Sequence, residues 1–214
     1  MPQSRVAREA AAVQDWRQLE VVGVTGSPDS EQEGGAVTVI DADELAERNA
    51  GFAGGGSFAG LKLMPSGGLT VIGCVDPRVD PSDVLGLKLG EAAVIRNVGG
   101  RVTPETLRTL GMLAKVVQAR TGGPRPGDVH YAVLQHTDCG ITDLAAFPES
   151  LADYFDVPAG DLDAKAVTDP VAAVRVDVES LKQKLPAGVF VSGLVYDVAT
   201  GLIDIVVPPA RVEA

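Results

Sequence analysis

Leu69-Thr70-Val71-Ile72-Gly73-Cys74-Val75-Asp76 is short, rich in β-branched residues and bounded by Gly67-Gly68 and Pro77, the pattern of a buried strand. A second apolar run, Ala92 to Val98, stops at Gly99-Gly100. A third, Val129 to Leu134, leads into Gln135-His136-Thr137-Asp138-Cys139-Gly140. Between the second and third runs, Thr103 predicts an N-cap with Pro104 at the first helical position. Leu107, Leu110, Ala114 and Val117 follow at helical spacing as a core stripe, until Gly122-Gly123-Pro124 ends the helix. Asp169-Pro170 opens another helix, with Val171, Val174, Val178, Leu181 and Leu185 on one stripe. The β-prone stretch Val189 to Val207 is broken at Thr200-Gly201, which suggests a hairpin or a bent edge strand. Strands alternating with helices imply an α/β fold: a mainly parallel central sheet flanked by helices, with an antiparallel C-terminal edge strand as one outcome.

Upstream, Val37 to Ile40 is apolar, and Asp41 with Glu44 marks a helix start, with Leu45, Ala46 and Phe52 on one face and a stop at Gly51. Gly54-Gly55-Gly56-Ser57 reads as a flexible loop. Residues 1–35 include the polar stretch Ser27 to Gly35, which buries too little apolar surface to offset its ordering entropy. They are expected to form a loose N-terminal extension to a folded domain over 36–214. A length of 214 residues suits that arrangement. The net charge of −11 repels phosphate backbones and anionic lipid, so neither nucleic acid nor membrane is expected as a partner. Met1 to Glu9 lacks the apolar run of a secretory signal, which predicts a cytoplasmic protein. In that compartment thiols stay reduced, so Cys74 and Cys139 are more readily metal ligands or reactive groups than a disulfide.

In open α/β sheets ligands bind beyond the carboxyl ends of the strands. Cys74 and Asp76 end one predicted strand, and His136 and Cys139 end another, so all four are expected at one edge. Two thiolates and an imidazole suffice for a catalytic zinc site, which uses three protein ligands and leaves a fourth position open. Cys74-Val75-Asp76-Pro77-Arg78 adds a carboxylate and a guanidinium two and four residues past the thiol. Arg78 can hold Asp76 by a bidentate pair, and Asp76 can orient an oxygen nucleophile. The bland alternatives are two buried apolar cysteines, a structural Asp76–Arg78 ion pair, and a turn at Gly99-Gly100 with Arg96 and Asn97 unassigned. His130 reads as a strand-edge residue, and Gly54-Gly55-Gly56 does not follow a strand as a phosphate-binding loop would.

The CxDxR segment Cys74 to Arg78 and the HxxC segment His136 to Cys139 resemble those of the β-class carbonic anhydrases. Ala93 to Gly100 and Gly193 to Gly201 are similar to that family's glycine-containing strand end and terminal strand. The resemblance covers about residues 36 to 207 and makes 36–214 a zinc-binding catalytic domain. It implies Zn2+ held by Cys74, His136 and Cys139, with Asp76 and Arg78 as a catalytic dyad. The implied reaction is reversible hydration of carbon dioxide to bicarbonate by zinc-bound hydroxide. It also implies a homodimer or higher homo-oligomer. Two alternatives remain: hydrolysis of carbonyl sulfide or carbon disulfide at the same site, and a non-catalytic zinc-stabilised bicarbonate-binding module. Pro77 departs from the small residue usual there and removes a backbone N–H beside the dyad, a change that would shift Asp76. Backbone donors near Gly140 or Gly99 are candidate oxyanion partners. With no histidine except the distant His130 to relay protons, proton release is expected to depend on buffer.

Overall fold

The computed structural model describes residues 39–123 and 127–214. The expected extension over 1–35 lies outside them. The chain divides into two units, Met1–Arg48 and Asn49–Ala214. Helix α1, Ala42–Gly54, starts where Asp41 accepts from the Glu44 N–H at 2.9 Å. It runs through Gly51, the expected stop, because an exposed helix tolerates an interior glycine at a cost of only about 1 kcal/mol. The expected Leu45–Phe52 face packs into no core, since no residue of α1 is buried.

The second unit is built on five strands in the order β2-β1-β3-β4-β5. They are β1 (Leu69–Cys74), β2 (Ala92–Asn97), β3 (His130–His136), β4 (Phe190–Asp197) and β5 (Leu202–Arg211). The first four are parallel, and β5 returns antiparallel along β4 as a hairpin through Thr200-Gly201. As the outer edge, β5 accommodates Pro208 and Pro209, whose missing N–H groups would break an interior ladder. Gly193 lies at the irregularity between β4 and β5. A Cβ there would come within 2.9 Å of the Val174 side chain, so the helix beneath packs directly on the backbone.

Short helix α2 (Pro81–Val84) follows β1, and α3 (Pro104–Thr121) follows β2. The predicted signals operate at both ends of α3: Thr103 Oγ accepts from Thr106 N–H, and Gly122 closes it with φ 83°. After β3 come a 3-10 segment (Gly140–Ala146), α4 (Pro148–Phe155), a second 3-10 segment (Ala159–Lys165) and α5 (Pro170–Lys182). The α5 stripe Val174, Val178 and Leu181 is fully buried against Ile72, Val133 and Val191 of the sheet. The α3 stripe is core only in its first half. Leu110 is buried, but Ala114 is exposed and Val117 half-buried along an open groove of about 420 Å³. Helical spacing identifies a face; it does not say what covers it.

Candidate metal centre

The parallel register puts the ends of β1 and β3 side by side, and from there the chain delivers its sulfur and nitrogen donors. Cys74 is the last residue of β1 and His136 the last of β3. Cys139 follows after a turn in which Asp138 takes the left-handed conformation (φ 52°), aiming the sulfur back at the sheet edge. The turn is tied to β4: Thr137 N–H donates to Tyr196 O at 3.0 Å, and Thr137 Oγ accepts from Val198 N–H at 3.1 Å. All three donor atoms lie within 4.8 Å of one another and all three residues are buried, with the sulfurs 3.7 Å apart.

Their surroundings fit a thiophilic cation. His136 Nδ1 lies 2.9 Å from its neighbour's carbonyl, Thr137 O, which leaves Nε2 as the ligand atom. Nε2 is buried with no hydrogen-bond partner. Cys74 Sγ lies in hydrogen-bonding contact with Cys139 Sγ and accepts from the backbone N–H of Asp76 (3.4 Å) and Gly99 (3.3 Å). The adjacent Cys139 thiol first, then the neighbouring His136 ring and those amides, outweighs burial and holds Cys74 well below an ordinary thiol. The Cys74 thiolate, with burial, pushes Cys139 up. One negative charge thus comes easily and the second needs a cation. Burial pulls His136 down, but contacts with Cys74 and Thr137 O outweigh it and raise it. Two thiolates and a buried imidazole with a free nitrogen are a zinc donor set with one position to spare.

Asp76 faces this group, its Oδ2 3.9 Å from His136 Nε2. Arg78 grips both carboxylate oxygens, Nη2 to Oδ2 at 2.7 Å and Nε to Oδ1 at 3.1 Å. That pairing, led by the Arg78 side-chain hydrogen bond, holds Asp76 down at about 2. Asp76 makes these contacts to Arg78 across the intervening Pro77. Asp76 caps a 3-10 turn (Pro77–Val79) through the Arg78 N–H at 2.9 Å, and Pro77 sits at the first helical position, where its missing N–H has no intrahelical partner to lose. The other end of Arg78 donates to Asp138, from Nη1 to the carboxylate (2.7 Å) and from Nη2 to the carbonyl (2.8 Å). Asp138 lies inside the HxxC motif but was not singled out from the sequence, where nothing marks it as the partner of a residue 60 positions away.

Gly99-Gly100 serves as both turn and wall. A Cβ on Gly100, at φ 61°, would lie 2.8 Å from Leu134 O and 2.9 Å from Cys74 N, so only glycine fits. The Gly99 N–H is engaged by Cys74 Sγ, which removes it as an oxyanion donor. Beside the Cys74–His136–Cys139 group lies a cavity of about 60 Å³, lined by Gly99, Arg101, His136, Cys139, Ile141 and Val167 among others. His130 opens β3 with Nε2 2.8 Å from Ser192 Oγ. Six strand steps put it about 20 Å from His136.

A mainly parallel α/β sheet with a Cys2His group and an adjacent carboxylate at its strand ends is the arrangement of a metal centre with one coordination position open. The carbonic anhydrase family model matches residues 69–154. Beta-carbonic anhydrase 1 of Mycobacterium tuberculosis is 31% identical over 175 residues, which cover 78% of this chain and 98% of that protein. Carbon disulfide hydrolase of Acidianus sp. is 30% identical over 112 residues, 52% of this chain and 49% of that one. The crystal structure of a carbonic anhydrase from Streptococcus mutans superimposes with TM-score 0.60 at 33% identity, covering 79% of this chain and 99% of that one. The chain belongs to the β-carbonic anhydrase family, and as such is an enzyme of the carbonate dehydratase class that uses zinc.

Proposed function

We propose that the chain interconverts carbon dioxide and bicarbonate, with Cys74, His136 and Cys139 as the zinc ligands and Asp76 and Arg78 as the catalytic dyad. The observation that carries this reading is Asp76, held on both oxygens by Arg78 and turned toward the ligand cluster. Zinc, when bound, supplies a Lewis acid that lowers the pKa of water from 15.7 to about 7. Asp76, held at about 2, stays ionised at neutral pH and therefore accepts a hydrogen bond from the attacking oxygen without taking its proton. With that O–H pinned on Asp76, the oxygen's lone pair is aimed at the carbon. Arg78 stops Asp76 from rotating, and Asp138 stops Arg78. The small cavity beside His136 and Cys139 mixes apolar residues, Ile141, Val167 and Pro170, with polar ones, Arg101, Gln135 and Asp138. Metal analysis with stopped-flow carbon dioxide hydration tests the reading. One zinc per chain and a large rate loss in Asp76→Asn support it; a zinc-free protein or a fully active variant overturns it.

The relation to a carbon disulfide hydrolase favours a second reading, attack on carbon disulfide or carbonyl sulfide by the same residues. Assaying one preparation on all three substrates separates the two. A non-catalytic bicarbonate-binding module is less well supported, because Asp76 is engaged by Arg78. We also propose a cytoplasmic homo-oligomer. No described helix is long and apolar enough to cross a membrane. On α3, Leu113 and Val116 are exposed along the open groove, and β2 is an unpaired sheet edge among the described residues, both suited to a second copy. Light scattering reads the assembly, and a monomer refutes it.

A further inference from the structure

We infer that Arg96 is a positioning residue for Asp76, acting through the backbone on either side of it. This rests on the reading above, in which Asp76 orients the attacking oxygen. Arg96 lies on β2 opposite Gly73 of β1, and its guanidinium reaches across the strand end to three acceptors on one loop. Nε donates to Cys74 O at 2.7 Å, Nη2 to Asp76 O at 2.8 Å and Nη1 to Asp80 Oδ2 at 2.6 Å. Asp80 is itself fixed as the cap of α2, accepting from Ser82 N–H at 2.9 Å.

These contacts take carbonyls for which the loop's own backbone offers few donors. Pro77 and Pro81 bring no N–H. The Val75 N–H is used by Asn97 O, and the Asp76 and Arg78 N–H groups are used by Cys74 Sγ and Asp76 Oδ1. Among the described residues the one backbone donor to Asp76 O is the Val79 N–H, at 3.1 Å within the same turn. The two carbonyls that Arg96 takes belong to the metal-ligating residue and to the dyad carboxylate. One planar fork therefore sets the angle between the Cys74 sulfur and the Asp76 carboxylate. Lysine cannot reproduce this, because its single ammonium has no rigid spacing between donors. As a plain ion pair Arg96–Asp80 would matter little, since Asp80 is 40% exposed and surface pairs contribute weakly.

The test compares Arg96→Gln, Arg96→Lys, Asp76→Asn and the Arg96→Gln/Asp76→Asn double variant for zinc content, kcat and KM of carbon dioxide hydration. The visible spectrum of the cobalt(II)-substituted proteins is recorded at one pH. Residues that orient catalytic or metal-binding groups typically contribute about 10–100-fold, so Arg96→Gln should lower kcat/KM by about that much while keeping one zinc. Arg96→Lys, which keeps the charge, should fall between it and the parent, and guards against a misfolded glutamine variant. The cobalt band should shift, because the carboxylate beside the ion has moved. In the Asp76→Asn background, Arg96→Gln should cost nothing further, since both act through one group. Arg96→Gln within twofold of the parent, or losses that multiply in the double variant, overturns the inference while leaving the Asp76 mechanism intact. A fully active Asp76→Asn overturns both.

Discussion

Cutting the buried pair Arg101–Asp177 should destabilise the protein more than any surface change. Arg101 is 1% exposed and Asp177 3%, with Nε to Oδ2 at 2.7 Å and Nη2 to Oδ1 at 3.4 Å. Gln135 Nε2 also donates to Asp177 Oδ2 at 2.8 Å, and Arg101 Nη2 donates to Lys165 O at 2.6 Å. In Asp177→Ala the guanidinium keeps one carbonyl and the face of Phe155, 4.8 Å from the ring centroid, while Nη1 is already without a partner. Breaking a buried pair from one side costs about 3–5 kcal/mol, because an uncompensated charge stays buried. For a domain of this size that is a fall in Tm of about 6–20 °C. The pair also spans the site: Arg101 follows the Gly99-Gly100 turn and Gln135 precedes His136, so zinc affinity should fall along with stability. Urea unfolding at fixed protein concentration, with Arg101→Met, Asp177→Leu and the double variant in a cycle, measures it. The double variant should recover most of what each single change loses, since an apolar replacement of a buried pair is often neutral. A single-variant cost under about 1 kcal/mol would refute the argument.

Other outcomes follow from the same geometry. Gly100→Ala should strip zinc from the protein, because its Cβ would meet the Leu134 carbonyl and the Cys74 nitrogen; a variant with one zinc per chain and normal melting contradicts this. The Asp76 carboxyl titrates near 2 in the folded chain against an ordinary 3.8, so the unfolded chain binds more protons as pH falls. Stability from this pair is complete above about pH 4 and lost as pH drops through about 2. Asp76→Asn should flatten the stability–pH slope in that window, as read by urea midpoints at successive pH values. With His130 about 20 Å from His136 along β3, a small imidazole buffer should raise kcat of carbon dioxide hydration and leave KM little changed. Equal rates at low and high buffer would point to a proton route through other residues.

What was legible in the sequence was local, and what was not depends on pairing across the chain. Cys74 and His136 could be placed because each ends an apolar run, and a parallel sheet puts such ends side by side. Thr103, Pro104 and Gly122 mark α3 by the chemistry of its own ends. The second half of its stripe differs from the expectation for another reason: Ala114 and Val117 have helical spacing, but the described residues leave Ala114 exposed and Val117 half-buried. Arg96, Asp138 and Asp177 carry no local signal at all. Each acquires its role from an acceptor or donor that folding brings from 16 to 76 positions away. A CxDxR motif announces a carboxylate and its guanidinium, yet Arg78 is held in turn by Asp138 and the carbonyls of Cys74 and Asp76 by Arg96, contacts that no residue code spells out. Under the proposed mechanism the angle of attack depends on β2 and the HxxC turn as much as on the dyad itself. On that mechanism, two chains sharing both motifs should differ in activity where they differ at positions 96 and 138.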